Sequence, residues 1–219
     1  MQQATAPPFD AKASASAVPV AYANPTVAII SPSFCTPYPV DLGIVRKVLT
    51  ITDGNFVVTD VNGNTVFKVK GAHFSLRDRR VLLDAAGYPI VTFRKKLRSV
   101  HERWQVFRGD STELSNLVFS VKMSSWIQMK TKLDVFLASN TREDAPDFQV
   151  KGSWFERSCV VYAGNSSTIL AQMHKKHTVS SVLFGKDNFS VTVYPGVDYA
   201  FIVALIVILD EINTNDSSQ

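Results

Sequence analysis

The chain reads as a mainly β protein, a closed antiparallel barrel of about twelve strands around one hydrophobic C-terminal helix. Three observations predict this fold. From Leu42 onward, short runs rich in Val, Ile, Phe and Thr alternate with turns containing Gly and Asn, a pattern that by itself fits an antiparallel barrel or a sandwich. Inside those runs apolar and polar residues alternate, giving each strand one buried and one solvated face. Near the C-terminus, eleven uninterrupted apolar residues at 199–209 break the two-residue period.

The elements follow in order. Residues 1–38 carry prolines at 7, 8, 19, 25, 32 and 37 among Ala and Ser, a composition that propagates neither helix nor sheet. They are read as a flexible tail whose last residues, from Thr36, tether the first strand. Residues 39–213 form one domain. Strand candidates are 44–51, 56–61, 65–70, 80–84, 88–97, 103–109, 117–122, 126–130, 132–138, 148–151, 158–162, 168–174 and 189–194. The junctions Asp53-Gly54-Asn55 and Asn62-Gly63-Asn64 are hairpin turns, because Asn and Gly accept positive φ. In 65–70, Phe67 and Val69 share one face while Lys68 and Lys70 share the other. Arg94, Lys96 and Arg98 likewise lie opposite Phe93 and Leu97.

The apolar run at 199–209 is too short to cross a membrane, which takes about 20 residues. Its β-branched content keeps a long strand open as the alternative. A helix apolar on every side is preferred, and such a helix must be enclosed by protein. Asp198 precedes it as an N-cap, and the helix is expected over about 198–212, with a polar tail at 214–219.

Composition excludes several functions. The chain has 219 residues, 46% hydrophobic and 19% charged, with a formal net charge of +4, so no overall field marks a nucleic-acid binder. Two cysteines, Cys35 and Cys159, are too few for a disulfide scaffold, and no Cys/His spacing suggests zinc. Cys35 is expected as an unpaired thiol on the mobile tail, with S-acylation as the alternative. No secretory signal is visible, Gln2 excludes myristoylation and the Ser218-Gln219 end excludes prenylation. A cytoplasmic protein is expected, at a membrane surface or in the nucleus.

Catalytic motifs are absent: there is no Gly-x-Ser-x-Gly elbow, no phosphate loop and no Gly-x-Gly-x-x-Gly. A nucleophilic set assembled around His101, His174 or His177 has no spacing to recommend it. His174 and His177 point to opposite faces of the proposed strand, which disfavours a metal pair. Asp60-x-Asn62-x-Asn64 mimics the start of a calcium loop but lacks its sixth-position Gly and twelfth-position Glu, and is read as a turn. No cofactor is expected.

Charge is unevenly placed. Between Lys68 and Arg108 there are eleven Lys or Arg against three acids. Lys68, Lys70, Arg77, Arg79, Arg80, Arg94, Lys96 and Arg98 converge if their strands are neighbours. Converging ammonium and guanidinium groups suit a phosphorylated lipid headgroup. The competing account is a solvated wall whose charges keep the barrel soluble and blunt edge pairing. Nucleic acid is disfavoured, since the cluster has neither exposed aromatics for stacking nor a basic recognition helix.

Several segments together resemble the LURP-one-related family of plants. They are Thr52-Asp53-Gly54-Asn55-Phe56 through Asn64, Arg79-Arg80-Val81-Leu82-Leu83-Asp84 with Gly87 and Pro89, and Arg103-Trp104-Gln105-Val106-Phe107-Arg108-Gly109. To these are added Phe148-Gln149-Val150-Lys151-Gly152-Ser153-Trp154 through Tyr162, and Gly185-Lys186-Asp187-Asn188-Phe189. The family is one branch of a tubby-like superfamily that includes phospholipid scramblases. The resemblance implies a tubby-like barrel of about twelve strands around a C-terminal helix, and no established catalytic activity. It further implies anionic phospholipid or phosphoinositide as ligand, or a transcription-regulating or protein-interaction scaffold as the alternative, with a connection to plant defence. The chain lacks the cysteine cluster and longer apolar helix of scramblase relatives, which argues against scrambling itself.

Overall fold

The computed structural model describes residues 26–46, 56–71, 79–96, 103–127, 130–175 and 189–215. Twelve strands run in sequence order: Val40–Arg46 (β1), Phe56–Thr59 (β2), Thr65–Gly71 (β3), Arg79–Asp84 (β4), Pro89–Lys95 (β5) and Arg103–Arg108 (β6). They continue with Leu117–Ile127 (β7), Lys130–Leu137 (β8), Phe148–Gly152 (β9), Val160–Ala163 (β10), Ile169–Lys175 (β11) and Phe189–Val193 (β12). Helix α1 spans Tyr199–Asn215. Each strand pairs antiparallel with its sequence neighbour, and β1 closes on β12, with Val40 opposite Val193 and Leu42 opposite Val191. The barrel therefore has no free edge to recruit another chain.

This is the predicted architecture, with three local differences. The expected strand 117–122 and the first two residues of the expected strand 126–130 are one strand, β7, whose register shifts between Met123 and Ser125, while Lys130 opens β8 and residues 128–129 lie outside the described residues. Two adjacent serines had broken the apolar alternation, yet a bulge carries the ladder past them. The first strand lies earlier than expected, at Val40–Arg46, and residues 47–51 of the expected strand fall outside the described residues. The helix runs three residues beyond its expected end at 212, to Asn215, with Asp210, Glu211 and Asn213 buried.

The helix fills the barrel. Residues 200–209 are all buried, and Phe201 meets Phe119 and Phe148 at centroid distances of 5.1 and 5.0 Å. Leu42, Val58, Phe67, Val69, Leu82 and Phe93 point inward from their strands onto it. A helix apolar all round is stable only in such an enclosure, where its burial contributes the largest favourable term of the fold. Gly152 shows how tightly the wall is built. Its φ of +140° suits glycine, and a Cβ there would stand 2.5 Å from the Ser158 carbonyl oxygen.

The topology defines two ends. At the lower end α1 begins, and the turns 60–64, 85–88, 109–116, 138–147 and 164–168 lie there. At the upper end α1 finishes, beside the loop at 153–159.

Residues 26–38 do not belong to a flexible tail, contrary to the expected boundary at 38. Val27 forms a parallel bridge with Val197 and Cys35 an antiparallel one with Asp198. Phe34 packs edge-on against Phe67 and Tyr199 at 5.7 and 5.4 Å. This strap covers the lower end of the barrel, so Cys35 is half-buried instead of mobile. Burial, and secondarily the Asp198 carboxylate, push its thiol pKa upward. Residues 1–25 of the expected tail lie outside the described residues.

Candidate functional site

The six candidate cations among the described residues do not form one patch. Lys68 lies on the outer wall and donates to the Ala85 carbonyl at 2.9 Å. Lys70, two residues on, is exposed. Arg79 and Arg94 are cross-strand neighbours on β4 and β5, but both are engaged. Arg79 is paired with Asp110. Arg94 donates to the Thr112 carbonyl at 3.2 Å and to Gln105 Oε1 at 2.9 Å, and its guanidinium lies 4.8 Å above the Phe107 ring. The loop after β6 thus folds back over the outer wall and makes a small covered layer there. Thr92, fully buried, fastens it by donating to the Gly109 carbonyl at 2.7 Å.

Arg80 departs furthest from expectation. Leu82 faces the core, so Arg80, two residues earlier on the same face, also points into the barrel. It pairs there with Glu211 near the end of α1. A loop position would have left it solvated; as part of β4 it is committed to the interior. Lys96 is exposed, with its backbone N–H donating to the Arg103 carbonyl at 2.8 Å. Arg77 and Arg98 lie outside the described residues.

The upper end instead carries a different set of cations. Lys70, Lys96, Lys151 and Lys175 are exposed and sit at or near the upper ends of β3, β5, β9 and β11. Lys132 stands directly opposite Lys151 across the β8–β9 pair. Like charges facing one another are unfavourable in a sheet, and the loop after β9 adds the exposed Glu156 at the same end. Phe155, in the loop after β9, is 50% exposed at the same end. Sequence reasoning missed Lys132, Lys151 and Lys175 because it counted charge along the chain. The signal was present in another form: Lys132 and Lys151 occupy the outward phase of their strands toward the end where α1 finishes, while Lys175, opposite the inward Phe189, is exposed at the last position of β11.

The lower end is mixed in charge. Glu113 and Asp144 are exposed there beside Arg108 and Arg142, as are Tyr38, Val61, Tyr88 and Leu114. Its centre is Asp198, fully buried. Asp198 Oδ2 accepts from the backbone N–H groups of Ile29, Ile30 and Ser31 at 3.1, 2.6 and 3.0 Å, and Oδ1 accepts from Phe201 N at 3.0 Å. The expected N-cap is therefore also the anchor of the strap, a role that nothing in the local sequence announces. Arg108 adds a bond from its guanidinium to the Ile30 carbonyl at 2.7 Å.

The remaining candidates are structural. Asp60 Oδ1 accepts from the Asn62 and Asn64 amides at 2.9 and 2.8 Å, closing the β2–β3 turn. The Asn64 side-chain bond, ahead of those amides, lowers its pKa. His174 is exposed on β11, while His101 and His177 lie outside the described residues. Cys159 is buried, and desolvation pushes its thiol to about 12, far from the thiolate needed for chemistry.

The described strands form a closed antiparallel barrel filled by the chain's own C-terminal helix. That combination defines a class of helix-plugged barrel domains. The LURP-one-related family model matches residues 40–210, and the chain belongs to that family. It is 63% identical over 188 residues to protein LURP-one-related 15 of Arabidopsis thaliana, covering 86% of this chain and 87% of that one. It is 64% identical over 194 residues to LURP-one-related 10 of the same plant, covering 88% and 100%. An X-ray structure of an Arabidopsis thaliana protein matches with a TM-score of 0.69 at 55% identity, over 85% of this chain and 98% of that chain.

Proposed function

We propose that the protein is a non-enzymatic binding module whose upper end docks on anionic phospholipid headgroups, in the cytoplasm at a membrane surface. The observation that carries this reading is the placement of Lys70, Lys96, Lys151 and Lys175, all exposed at the end that also presents Phe155. Lysines near a membrane each contribute about 1 kcal/mol of attraction to an anionic leaflet, and an aromatic ring among them suits the interface. The buried Cys159 thiol and the helix-filled interior supply no nucleophile in a cavity, which supports a binding role over catalysis. The resemblance to tubby-like and scramblase-like proteins points the same way, and plant defence is the setting it suggests. No helix among the described residues is long and apolar enough to cross a membrane.

The test is co-sedimentation with liposomes containing phosphoinositide, at low and high salt. Wild-type protein sediments and is released by salt, because the attraction is screened. Lys70→Glu with Lys96→Glu abolishes sedimentation while thermal unfolding is unchanged; a double variant that sediments like wild type removes the upper end as the site. Arg94 is unsuited to this experiment, since its side chain holds the loop after β6 in place. The alternative, a protein-interaction or transcription-regulating scaffold acting in cytoplasm or nucleus, is favoured by one observation, the exposed Tyr38, Val61, Tyr88 and Leu114 at the lower end. Under that reading, Tyr88→Ser removes partner binding and leaves liposome sedimentation intact.

A further inference from the structure

One carboxylate gathers three of the hydrogen bonds that join the strap over residues 26–38 to the barrel. Three successive amides, from Ile29 to Ser31, converge on Asp198 Oδ2. Backbone bonds from Val27 N to the Gly196 carbonyl (2.8 Å) and from Gly196 N to the Thr36 carbonyl (2.7 Å) flank them. Ser31 is the residue where this anchor meets solvent. Its amide touches the buried carboxylate, while its hydroxyl, on the exposed side, lies 2.8 Å from Ser33 Oγ and accepts from Ser33 N at 3.3 Å. Its backbone is extended (φ −157°, ψ 141°) and Pro32 follows it. An extended serine immediately before proline is the conformation and sequence that a proline-directed protein kinase accepts, and the following proline holds the serine in that region.

We infer that Ser31 is a phosphorylation site whose modification detaches the strap from the lower end of the barrel. The reaction requires a separate protein kinase and a nucleoside triphosphate. Ser31 Oγ attacks the γ-phosphorus, an Oγ–P bond forms, the bond to the nucleoside diphosphate breaks, and the hydroxyl proton passes to the kinase base. The new group carries about −1.5 to −2 charge at neutral pH. It stands on the same residue whose amide is held by a buried anion, so repulsion and the loss of the Ser31–Ser33 bond both act against docking. Ser33 has no following proline and its amide does not reach Asp198, and Thr36 precedes Pro37 but lies beyond the anchor. Neither combines the two features. Release uncovers the Phe67 and Tyr199 rings on which Phe34 rests, converting the lower end from a sealed surface into an apolar one. This inference is independent of the lipid reading, because it concerns the opposite end.

The experiment treats the full chain with a proline-directed serine/threonine kinase and ATP, maps the phosphate by mass spectrometry, and follows amide hydrogen exchange. Ser31 takes up the phosphate, Ser31→Ala does not, and amides 29–31 exchange at least about tenfold faster while β5–β7 keep their protection. Ser31→Glu gives a smaller acceleration in the same amides. A phosphate placed only at Thr36, no phosphate at all, or modified Ser31 with unchanged exchange at 29–31 each overturns the inference.

Discussion

Helix α1 meets protein at both ends of the barrel, and the two ends treat charge differently. At the lower end a single carboxylate, Asp198, is surrounded by backbone N–H groups and, among the described residues, accepts no hydrogen bond from a cationic side chain. At the upper end charge is met by charge: Arg80 points inward and pairs with Glu211, beside the buried Asp210. Backbone donors cannot change rotamer, so the lower arrangement fixes geometry, and the strap with it. Side-chain pairs can be exchanged for apolar groups without disturbing the ladder. The lower end is thus expected to dominate stability, and the upper end to be the more tolerant of substitution.

Asp198→Ala is the sharpest way to break that comparison. It removes the acceptor from four amides at once, one of them in the first turn of α1, and leaves them in a site without solvent. A loss of about 4 kcal/mol is expected, read as a lower urea midpoint with an unchanged slope. Asp198→Asn, which keeps one acceptor oxygen but turns an NH2 group toward donors, falls in between. If Asp198→Ala costs less than any substitution at the upper end, the assignment of the lower end as the anchor is wrong.

Arg80→Met sets the value for the upper end. Removing one partner of a largely buried pair leaves Glu211 poorly compensated, at an expected cost of about 2 kcal/mol, moderated because Arg80 retains some solvent contact. Adding Glu211→Gln to the same chain is expected to recover more than half of the loss, since removing both charges takes away the desolvation penalty with the attraction. Non-recovery in the double variant, measured in the same urea experiment, would make the upper pair as indispensable as Asp198.

The difference between the ends also explains what could be read from sequence. Strand alternation and the unbroken run at 199–209 are consequences of burial on one face or on all faces, so they are written locally, and barrel and helix were legible. Asp198 was readable as an N-cap because capping is a short-range bond to Phe201. Its bonds to Ile29, Ile30 and Ser31 span about 170 positions of chain, and no local pattern encodes such a contact. Residues 26–38 therefore looked like tail. The cation cluster failed for a related reason. The two-residue period already puts Arg80 in the phase of Leu82, a signal that a count of charge along the chain passes over, whereas nothing local reveals that the loop bearing Asp110 and Thr112 folds back over Arg79 and Arg94. The exposed lysines of the upper end come from strands distant in sequence and meet only through closure.

The smallest expected effect lies on the wall between the ends, and it calibrates the other two. Arg103 makes a two-pronged bond to Glu143, with both N···O distances 2.6 Å. That bond, assisted by the charges of Arg103, Lys122 and Lys96, holds the Glu143 pKa below its ordinary value. A carboxylate depressed on folding stabilises the native state fully above its unfolded pKa, about 4.3. The contribution then disappears as pH falls through the lower, folded value. Both side chains keep contact with water, so screening limits the pair to about 1 kcal/mol or less. Glu143→Gln is expected to lower the urea midpoint slightly at pH 7, with the gap to wild type closing as the pH is taken below about 4. A gap that stays constant across that range would mean that the pair acts through shape alone, and that the ranking of Asp198 above Arg80 cannot be drawn from charge either.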